Sequence, residues 1–257
     1  MSKEKAEKFS MHDSRHRTNE DDTFASGLDA YFSNSLGTNM DKLRNFAKYV
    51  PRQELSVFIA KHDMFQRIIR VHGHIIECGV FLGGGLMTWG QLSAIYEPVN
   101  HIRRIVGFDT FTGFVKINED DKGDNVDFAV EGGLATNAYG DLQECIRLYD
   151  LNRPIGHIPR VEIVVGDALK TIPYYIQNNP HLVVAMLYLD FDLYEPTKVA
   201  IESFLPRMPK GSILAFDELG QAAWPGETRA VLETVGLRNL RIRRFPFTSA
   251  LSFAVLE

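Results

Sequence analysis

The sequence predicts an α/β fold with a mostly parallel sheet and helices on both of its faces. Short apolar runs rich in Val, Ile, Leu and Phe alternate with longer stretches of helical period, which is typical of a parallel sheet. These runs are nearly continuously apolar, which indicates that both faces of each strand are buried. Two runs close together at the C-terminus favour an antiparallel addition to the sheet.

The N-terminal part predicts a tail followed by helices. Residues 1–25 are polar and mixed in charge, so we expect a poorly ordered tail. Residues 26–72 form a predicted helical segment, with helical period from Met40 to Val71 and with Pro51 placed to start a helix. Its expected apolar stripe contains Leu55, Phe58, Ile59, Met64, Ile68 and Ile69. The aromatic residues Phe24, Tyr31 and Phe32 suit either a lid over a site or a subunit contact.

Seven strands are predicted within residues 73–257. Five of them, "HIIECGV", "RIVGFD", "VEIVVGD", "LVVAMLYLD" and "SILAFDE", are each followed by a helical stretch. The last two, "LRIRRFPF" and "ALSFAVLE", have only Thr248 and Ser249 between them, and so short a connection predicts an antiparallel pair.

Composition excludes several classes of protein. The net charge of -5 offers no electrostatic footprint for nucleic acid, and no apolar stretch approaches the roughly 20 residues that span a membrane. The N-terminus has no apolar signal region. The two cysteines, Cys78 and Cys145, are too few for a disulfide framework. We therefore expect a reduced, cytoplasmic protein without nucleic-acid or membrane partners.

Acidic side chains follow the predicted parallel strands, at the edge where such sheets bind ligands. They are Glu77, Asp109, Asp167, Asp190, Asp192, Asp217 and Glu218. Asp109 is placed to accept hydrogen bonds from the hydroxyls of a ribose. Asp167 either accepts the amino group of an adenine or caps the following helix.

The first strand runs into a glycine-rich turn, "ECGVFLGGG". Gly79, Gly83, Gly84 and Gly85 allow the backbone to approach a ligand, and the helix N-terminus offers free N–H groups to an anion. Tight packing of the strand on the helix would also require glycines here. The spacing differs from G-x-G-x-x-G, so a dinucleotide pyrophosphate is a poorer fit.

Five motifs, taken in their order along the chain, resemble those of the class I S-adenosylmethionine (SAM)-dependent methyltransferases. They are "ECGVFLGGG", "VGFDTFTGF", "GDAL", "LDFDLYEPT" and "FDE". More narrowly, the chain from about Ile75 onward is similar to the macrocin O-methyltransferase family, which methylates sugar hydroxyls of natural products. The resemblance implies a Rossmann-like, seven-stranded sheet with the last strand inserted antiparallel, SAM as donor, a divalent cation such as Mg²⁺, and a homo-oligomer. The expected donor-binding residues are Glu77, Gly79, Val80, Gly83, Gly84, Asp109, Thr110, Phe111, Asp167, Ala168 and Asp190.

The two acidic doublets predict a metal site. Three carboxylates within about 5 Å repel one another by roughly 3 kcal/mol per pair, so a cation between them stabilises the cluster. We expect Asp190, Asp217 and Glu218 to be the metal ligands, although the family generally has a second Asp where Glu218 stands. The doublets would otherwise cap helices at exposed strand ends. A bound cation lowers the pKa of a sugar hydroxyl and directs its lone pair toward the methyl group.

Asp190 and Asp192 are the predicted catalytic residues, with Asp192 as the proton acceptor. The family places a histidine between the second and third strands, but residues 115–145 contain none. His101, His157 and His181 are interpreted as residues of loops or strand edges. Four aromatic residues either line an acceptor pocket or pack locally: Phe111, Phe114, Tyr194 and Trp224. Residues Asn118 to Gly133 form either a solvated loop or a mobile lid.

The predicted function is metal-assisted O-methylation of a sugar hydroxyl, on a natural product or a nucleotide-linked deoxysugar. An N-methyltransferase acting on an amino sugar would use the same fold. An NAD-dependent oxidoreductase would have a similar sheet, but the glycine spacing disfavours it. A non-catalytic SAM-binding protein would share the donor site without transferring a methyl group.

Overall fold

A seven-stranded sheet forms the centre of the structure, a computed structural model that describes residues 18–123 and 129–257. The strands are β1 (His74–Cys78), β2 (Ile105–Asp109), β3 (Val161–Val165), β4 (Val184–Leu189), β5 (Ile213–Phe216), β6 (Arg243–Arg244) and β7 (Ser252–Val255). Their order across the sheet is β3-β2-β1-β4-β5-β7-β6. The first five are parallel, whereas β7 pairs antiparallel with β5 and β6 pairs antiparallel with β7. The predicted parallel sheet with an antiparallel C-terminal strand is therefore confirmed.

Helices cover both faces of the sheet, and two more precede them along the chain. The helices are α1 (Asn19–Asn34), α2 (Asn39–Arg44), α3 (Arg52–Ile68), α4 (Gly84–Tyr96), α5 (Tyr139–Leu151), α6 (Ala168–Asn178), α7 (Tyr194–Phe204) and α8 (Pro225–Thr234). Successive strand residues enter two separate apolar clusters, for example Ile75 in one and Ile76 in the other. Residues of α3, α4 and α5 complete the first cluster, and residues of α6, α7 and α8 complete the second. Every residue of β4 and β5 is buried, which explains why their sequences are continuously apolar.

The N-terminal elements differ from the prediction in two ways. Helix α1 begins at Asn19, inside the segment predicted to be a polar tail, because Thr18 and Asp21 form a capping box. In α3 the buried face contains Ala60, Lys61, Met64, Phe65 and Ile68, so only Met64 and Ile68 of the predicted stripe are fully buried. Phe58 and Ile59 are exposed.

The C-terminal strands pair antiparallel as predicted, but β6 contains two residues only. Pro246 follows closely and has no backbone N–H for a ladder hydrogen bond, so the strand cannot extend through "FPF". The connection to β7 is correspondingly longer than the expected Thr248–Ser249 turn.

The described residues divide into two compact units between Leu55 and Ser56. The first contains α1, α2 and the start of α3, and the second contains the whole sheet and all the acidic strand ends. Within residues 18–123 and 129–257, none of the helices combines the length and apolar character required to cross a membrane.

Candidate active site

The carboxyl ends of the parallel strands bring acidic residues to one edge of the sheet. Leu189 of β4 is in register with Phe216 of β5, so Asp190 and Asp217, which follow them, leave neighbouring strands side by side. The backbone N–H of Asp217 donates to the carbonyl of Leu189 at 3.1 Å, which extends the pairing to this point. The juxtaposition expected from the two acidic doublets is present.

Three carboxylates converge at this edge. Asp190, Asp192 and Glu218 each place one oxygen within 4.8 Å of the others, and no other group of this kind occurs among residues 18–123 and 129–257. The set differs from the predicted metal ligands, because Asp192 takes the place of Asp217. Asp217 instead accepts a short hydrogen bond from the hydroxyl of Tyr188.

The electrostatics of the cluster favour a cation. Burial first, and then the negative charge of Asp217, raises the pKa of Asp192 to about 8. The same two causes raise the pKa values of Asp190 and Glu218 well above their usual range. Oε2 of Glu218 is buried and has no hydrogen-bond partner among the described residues. Buried carboxylates of this kind ionise together only when a positive charge lies among them.

Asp192 has a left-handed backbone, with φ 63°. Aspartate tolerates this region better than most residues, but the conformation still costs on the order of 1 kcal/mol and requires support from the surrounding structure. The residue is 8% exposed, so this backbone conformation holds the carboxyl inside the site. Backbone strain at a buried acid is typical of functional positions.

Sequence reasoning missed a further acid, Glu227. It lies in the first turn of α8 and is fully buried. Within residues 18–123 and 129–257 neither of its side-chain oxygens makes a hydrogen bond of normal geometry, although the backbone N–H groups of Asp217 and Glu218 lie close to its carboxyl. Burial, followed by the charges of Asp217 and Asp192, raises its pKa well above the usual range. An acid in the first turn of a helix is ordinarily solvated, so only the packing of α8 reveals it.

The glycines of the turn have two different roles. A Cβ on Gly79 would lie 1.8 Å from the carbonyl oxygen of Asp190, and a Cβ on Gly83 would lie 2.0 Å from Leu142. One on Gly85 would lie 2.0 Å from Glu77. These three positions therefore serve close packing within the fold: Gly79 against the end of β4, Gly83 against α5 and Gly85 against β1. Gly84 has open space around it and is exposed, so it is the position at which a ligand can approach the backbone.

Glu77 is 1% exposed and forms a buried ion pair with Lys61 of α3, at 3.1 Å between Nζ and Oε1. The ammonium of Lys61 also lies 3.9 Å from the ring centroid of Tyr188. Oε2 of Glu77 is buried beside the turn and accepts no hydrogen bond from any residue that the structure describes. It is therefore free to accept one from a ligand. Lysine within a helical pattern is usually exposed, which is why sequence reasoning did not find Lys61.

Asp109 organises the turn from the end of β2. Its Oδ2 accepts the backbone N–H groups of Val80 and Phe81, at 2.7 and 2.8 Å, and its Oδ1 accepts that of Phe111 at 2.7 Å. A carboxylate has about four lone-pair sites, so capacity remains for the predicted ribose contact. The structural role of Asp109 was not predicted from the sequence.

The other predicted donor contacts lie beside these groups. Thr110 donates its hydroxyl to the carbonyl of Gly113 at 2.7 Å. The ring of Phe111 is 3% exposed and belongs to the core, so it is the backbone of Phe111 that faces the site's turn. Asp167 caps α6 by accepting the N–H of Leu169 at 3.0 Å, and Ala168 is buried behind it.

Comparisons with known proteins identify the family. The family model described as Macrocin-O-methyltransferase (TylF) matches residues 42–240. This chain belongs to the macrocin O-methyltransferase family. A search of the curated proteins gives no significant match.

Solved structures of other methyltransferases agree with this result. The structure described as the calicheamicin methyltransferase CalS11 has a TM-score of 0.90 and 34% identity, covering 96% of this chain and 98% of that one. Its apo form, described as a TDP-rhamnose 3'-O-methyltransferase, has a TM-score of 0.82 and 33% identity over 95% of this chain and 99% of that one. The O-methyltransferase NovP, with a TM-score of 0.61 and 20% identity over 77% of this chain and 78% of that one, supports the fold. This protein is accordingly a SAM-dependent O-methyltransferase with the class I fold.

The aromatic residues considered for an acceptor pocket pack locally in the structure. Phe114 makes an edge contact with Trp224 at 5.6 Å between ring centroids, and Trp224 is 8% exposed. Tyr194 donates its hydroxyl to Glu233 in a short hydrogen bond. His157 is an exposed loop residue.

The segment from Asn118 to Gly133 is described up to residue 123 and again from residue 129. Its first part is anchored, because Asp121 is 1% exposed and accepts the backbone N–H groups of Tyr194 and Asn118 at 2.6 and 2.8 Å. Asp120 also pairs with Arg229 of α8. The start of the segment is therefore anchored to α7 and α8, and residues 124–128 of the predicted loop or lid lie outside the described residues.

Proposed function

We propose that this enzyme methylates a sugar hydroxyl on a natural product or a nucleotide-linked deoxysugar, with the assistance of a divalent cation. The observation that carries the proposal is the cluster of Asp190, Asp192 and Glu218 one strand away from the glycine turn. The sugar acceptor is supported by CalS11, which is described as a TDP-rhamnose 3'-O-methyltransferase and matches nearly the whole chain.

The residues present fit a hard divalent cation such as Mg²⁺. Carboxylate oxygens are the ligands that Mg²⁺ prefers, and the unpartnered Oε2 of Glu218 offers one in a buried position. We propose Asp190, Asp192 and Glu218 as the residues that would hold the ion. A bound cation would supply Lewis acidity that lowers the pKa of the acceptor hydroxyl. The sequence predicted Asp217 as a further metal ligand. In the structure it lies beside the cluster, where it contributes negative charge and accepts the hydrogen bond from Tyr188.

The residues at the carboxyl ends of β1 and β2 would bind the donor. Oε2 of Glu77 is placed to accept a hydrogen bond from the donor's ammonium group, while Lys61 holds the other oxygen. Gly84 gives the backbone room to approach the donor. Asp109 would accept the ribose hydroxyls, with Asp167 and Ala168 beside the adenine. Binding of the donor at β1 and of the acceptor at β4 and β5 would align the two for in-line displacement.

We assign proton removal to Asp192. A general base must lose its proton before it can accept one, and the pKa of Asp192 is raised in the absence of a cation. Positive charge at the cluster lowers that pKa and leaves the carboxylate ionised at neutral pH. Asp192 would then take the role that the family gives to a histidine between the second and third strands, since residues 115–145 of this chain contain none.

The test is methyl transfer from SAM to TDP-rhamnose, followed by mass spectrometry, with Mg²⁺ or with EDTA. We expect turnover to depend on Mg²⁺ and to be lost in Asp190→Asn while the variant still binds S-adenosylhomocysteine (SAH). Asp63→Asn is the matched control, because Asp63 is an exposed acid that pairs with Arg67 on the surface. Full turnover in EDTA would refute the role of the cation. Methylation of an amino sugar in place of the hydroxyl would instead establish an N-methyltransferase.

We also propose a homo-oligomer, as the family resemblance implied. Helix α1 has no buried residue, and Phe24, Tyr31 and Phe32 on it are exposed. Exposed aromatic side chains of this number are typical of a surface that another chain covers. Light scattering should give a mass above 29.1 kDa, the mass of one chain, and a monomer would contradict the proposal.

A further inference from the structure

A second pocket opens at the amino ends of the strands, on the edge of the sheet opposite the candidate active site. Its volume is about 410 Å³. Half of the chain's eight histidines line it, and an arginine joins them. The side chains that matter are His72, His74, His101, His181 and Arg104. None of them belongs to the site proposed above for methyl transfer.

The sheet brings these residues together. His74 is the first residue of β1, Arg104 directly precedes β2, and His181 lies three residues before β4. Because β1 pairs with both β2 and β4, the three amino ends are adjacent. The five residues of β1 separate this pocket from the glycine turn by roughly 13 Å along the strand.

The pocket presents hydrogen-bond donors. Nδ1 of His74 accepts the backbone N–H of Arg104 at 2.9 Å, so the neutral ring carries its proton on Nε2. In the part of the chain that the structure describes, the guanidinium of Arg104 makes one long contact, 3.4 Å from Glu162, and both side chains are partly exposed. Such a surface pair is weak, so the remaining N–H groups of Arg104 are available to a ligand.

Positive groups outnumber acids around His74. Arg103 is buried against Glu97, and its other N–H groups donate to the carbonyls of Ile68, Val71 and Gly73. Glu162 is the acid next to Arg104, and it also accepts the hydroxyl of Tyr175. Burial, followed by the charges of Arg104, His181, Arg103 and His72, lowers the pKa of His74 to about 4. The ring of His74 therefore stays neutral near pH 7 and offers its Nε2–H as a donor beside the positive charge of Arg104.

A metal ion fits the pocket less well. Among residues 18–123 and 129–257, no three histidine ring nitrogens lie within 4.8 Å of one another, which a metal would require. A phosphoryl group has several oxygens and accepts hydrogen bonds from donors that are further apart, and arginine matches its geometry in a bidentate manner. We propose that this histidine-rich pocket binds the phosphoryl group of a phosphate, pyrophosphate or nucleotide.

The test is titration of the full-length protein with pyrophosphate, followed through the histidine ring signals in NMR and by calorimetry, at pH 6 and pH 8. Sulfate is the second probe, because its own charge is constant over this range. Arg104→Gln and His181→Gln remove pocket donors. His157→Gln is the matched control, because His157 is exposed and lies outside the pocket.

We expect the NMR ring signals of the pocket histidines to shift when pyrophosphate is added, while those of His157 do not. We also expect the affinity for sulfate to be higher at pH 6 than at pH 8. Loss of one charge-assisted donor should weaken pyrophosphate binding about tenfold or more in Arg104→Gln, with no change in His157→Gln. Tighter binding of a nucleoside diphosphate than of pyrophosphate, sensitive to the same variants, would point to a nucleotide. Equal affinities would show that the phosphoryl group alone is recognised. Affinities unaffected by the pocket variants, or ring shifts with Zn²⁺ but none with pyrophosphate, would overturn the proposal.

Discussion

Replacement of Lys61 by methionine should destabilise the protein strongly. Methionine keeps the apolar stem of the lysine but leaves the carboxylate of Glu77, which is 1% exposed, without its positive partner. Removal of one member of a buried ion pair costs about 3–5 kcal/mol of the free energy of unfolding. This value includes the contact of the ammonium with the ring of Tyr188, 3.9 Å from Nζ to the centroid.

The measurement is urea denaturation followed by tryptophan fluorescence, with Lys170→Met as the matched control. The Lys170 side chain is 83% exposed and lies 3.5 Å from Asp167, so the control should lose no more than about 1 kcal/mol. The double variant Lys61→Met/Glu77→Gln should recover much of the loss, because neither side chain is then a buried unpaired charge. If Lys61→Met loses no more stability than Lys170→Met, the buried ion pair does not support the site as argued.

Four further variants test the glycine turn, the histidine-rich pocket and the end of β2. Gly79→Ala should prevent folding, because its Cβ would lie 1.8 Å from the carbonyl oxygen of Asp190. Gly84→Ala should keep or slightly raise thermal stability and should weaken SAH binding in calorimetry. Equal stability of the two variants would contradict the assignment of Gly79 to packing and of Gly84 to ligand approach. The pKa of His74 is about 4, below its usual value, so the stability of the wild-type protein is complete above pH 6.5 and falls as the pH drops toward 4. His74→Asn should reduce this loss of stability, which is at most about 3 kcal/mol and is smaller because the ring is partly exposed. Parallel curves of stability against pH for the two proteins would refute the lowered pKa. Asp109→Ala should both weaken SAH binding and lower the urea midpoint, because three backbone N–H groups lose their acceptor. Loss of SAH binding at an unchanged urea midpoint would show that the turn does not depend on this side chain.

The sheet could be predicted because burial on both faces leaves a direct trace in the sequence. Strands such as Val184–Leu189 and Ile213–Phe216 are apolar at every position, and the acids that follow them mark the edge of the sheet. The pairing of Asp190 with Asp217 follows from strand adjacency alone. These features depend on local patterns and on the general rules of parallel sheets.

The finer arrangement of the site depends on packing that the sequence does not display. Asp192 replaces Asp217 in the cluster because its backbone turns left-handed and because the hydroxyl of Tyr188 occupies Asp217. Lys61 and Glu227 lie on helices, where charged residues usually face water. Only the contacts of α3 and α8 with the rest of the fold bury them.

The most direct test of the metal-assisted mechanism is a crystal structure with SAH and Mn²⁺, with the ion located by its anomalous scattering. Mn²⁺ shares the preference of Mg²⁺ for carboxylate oxygens. We predict one ion bound by Asp190, Asp192 and Glu218, with the hydroxyl of Tyr188 still on Asp217. An ion bound by Asp217 without Asp192, or no ion at this edge of the sheet, would contradict the mechanism.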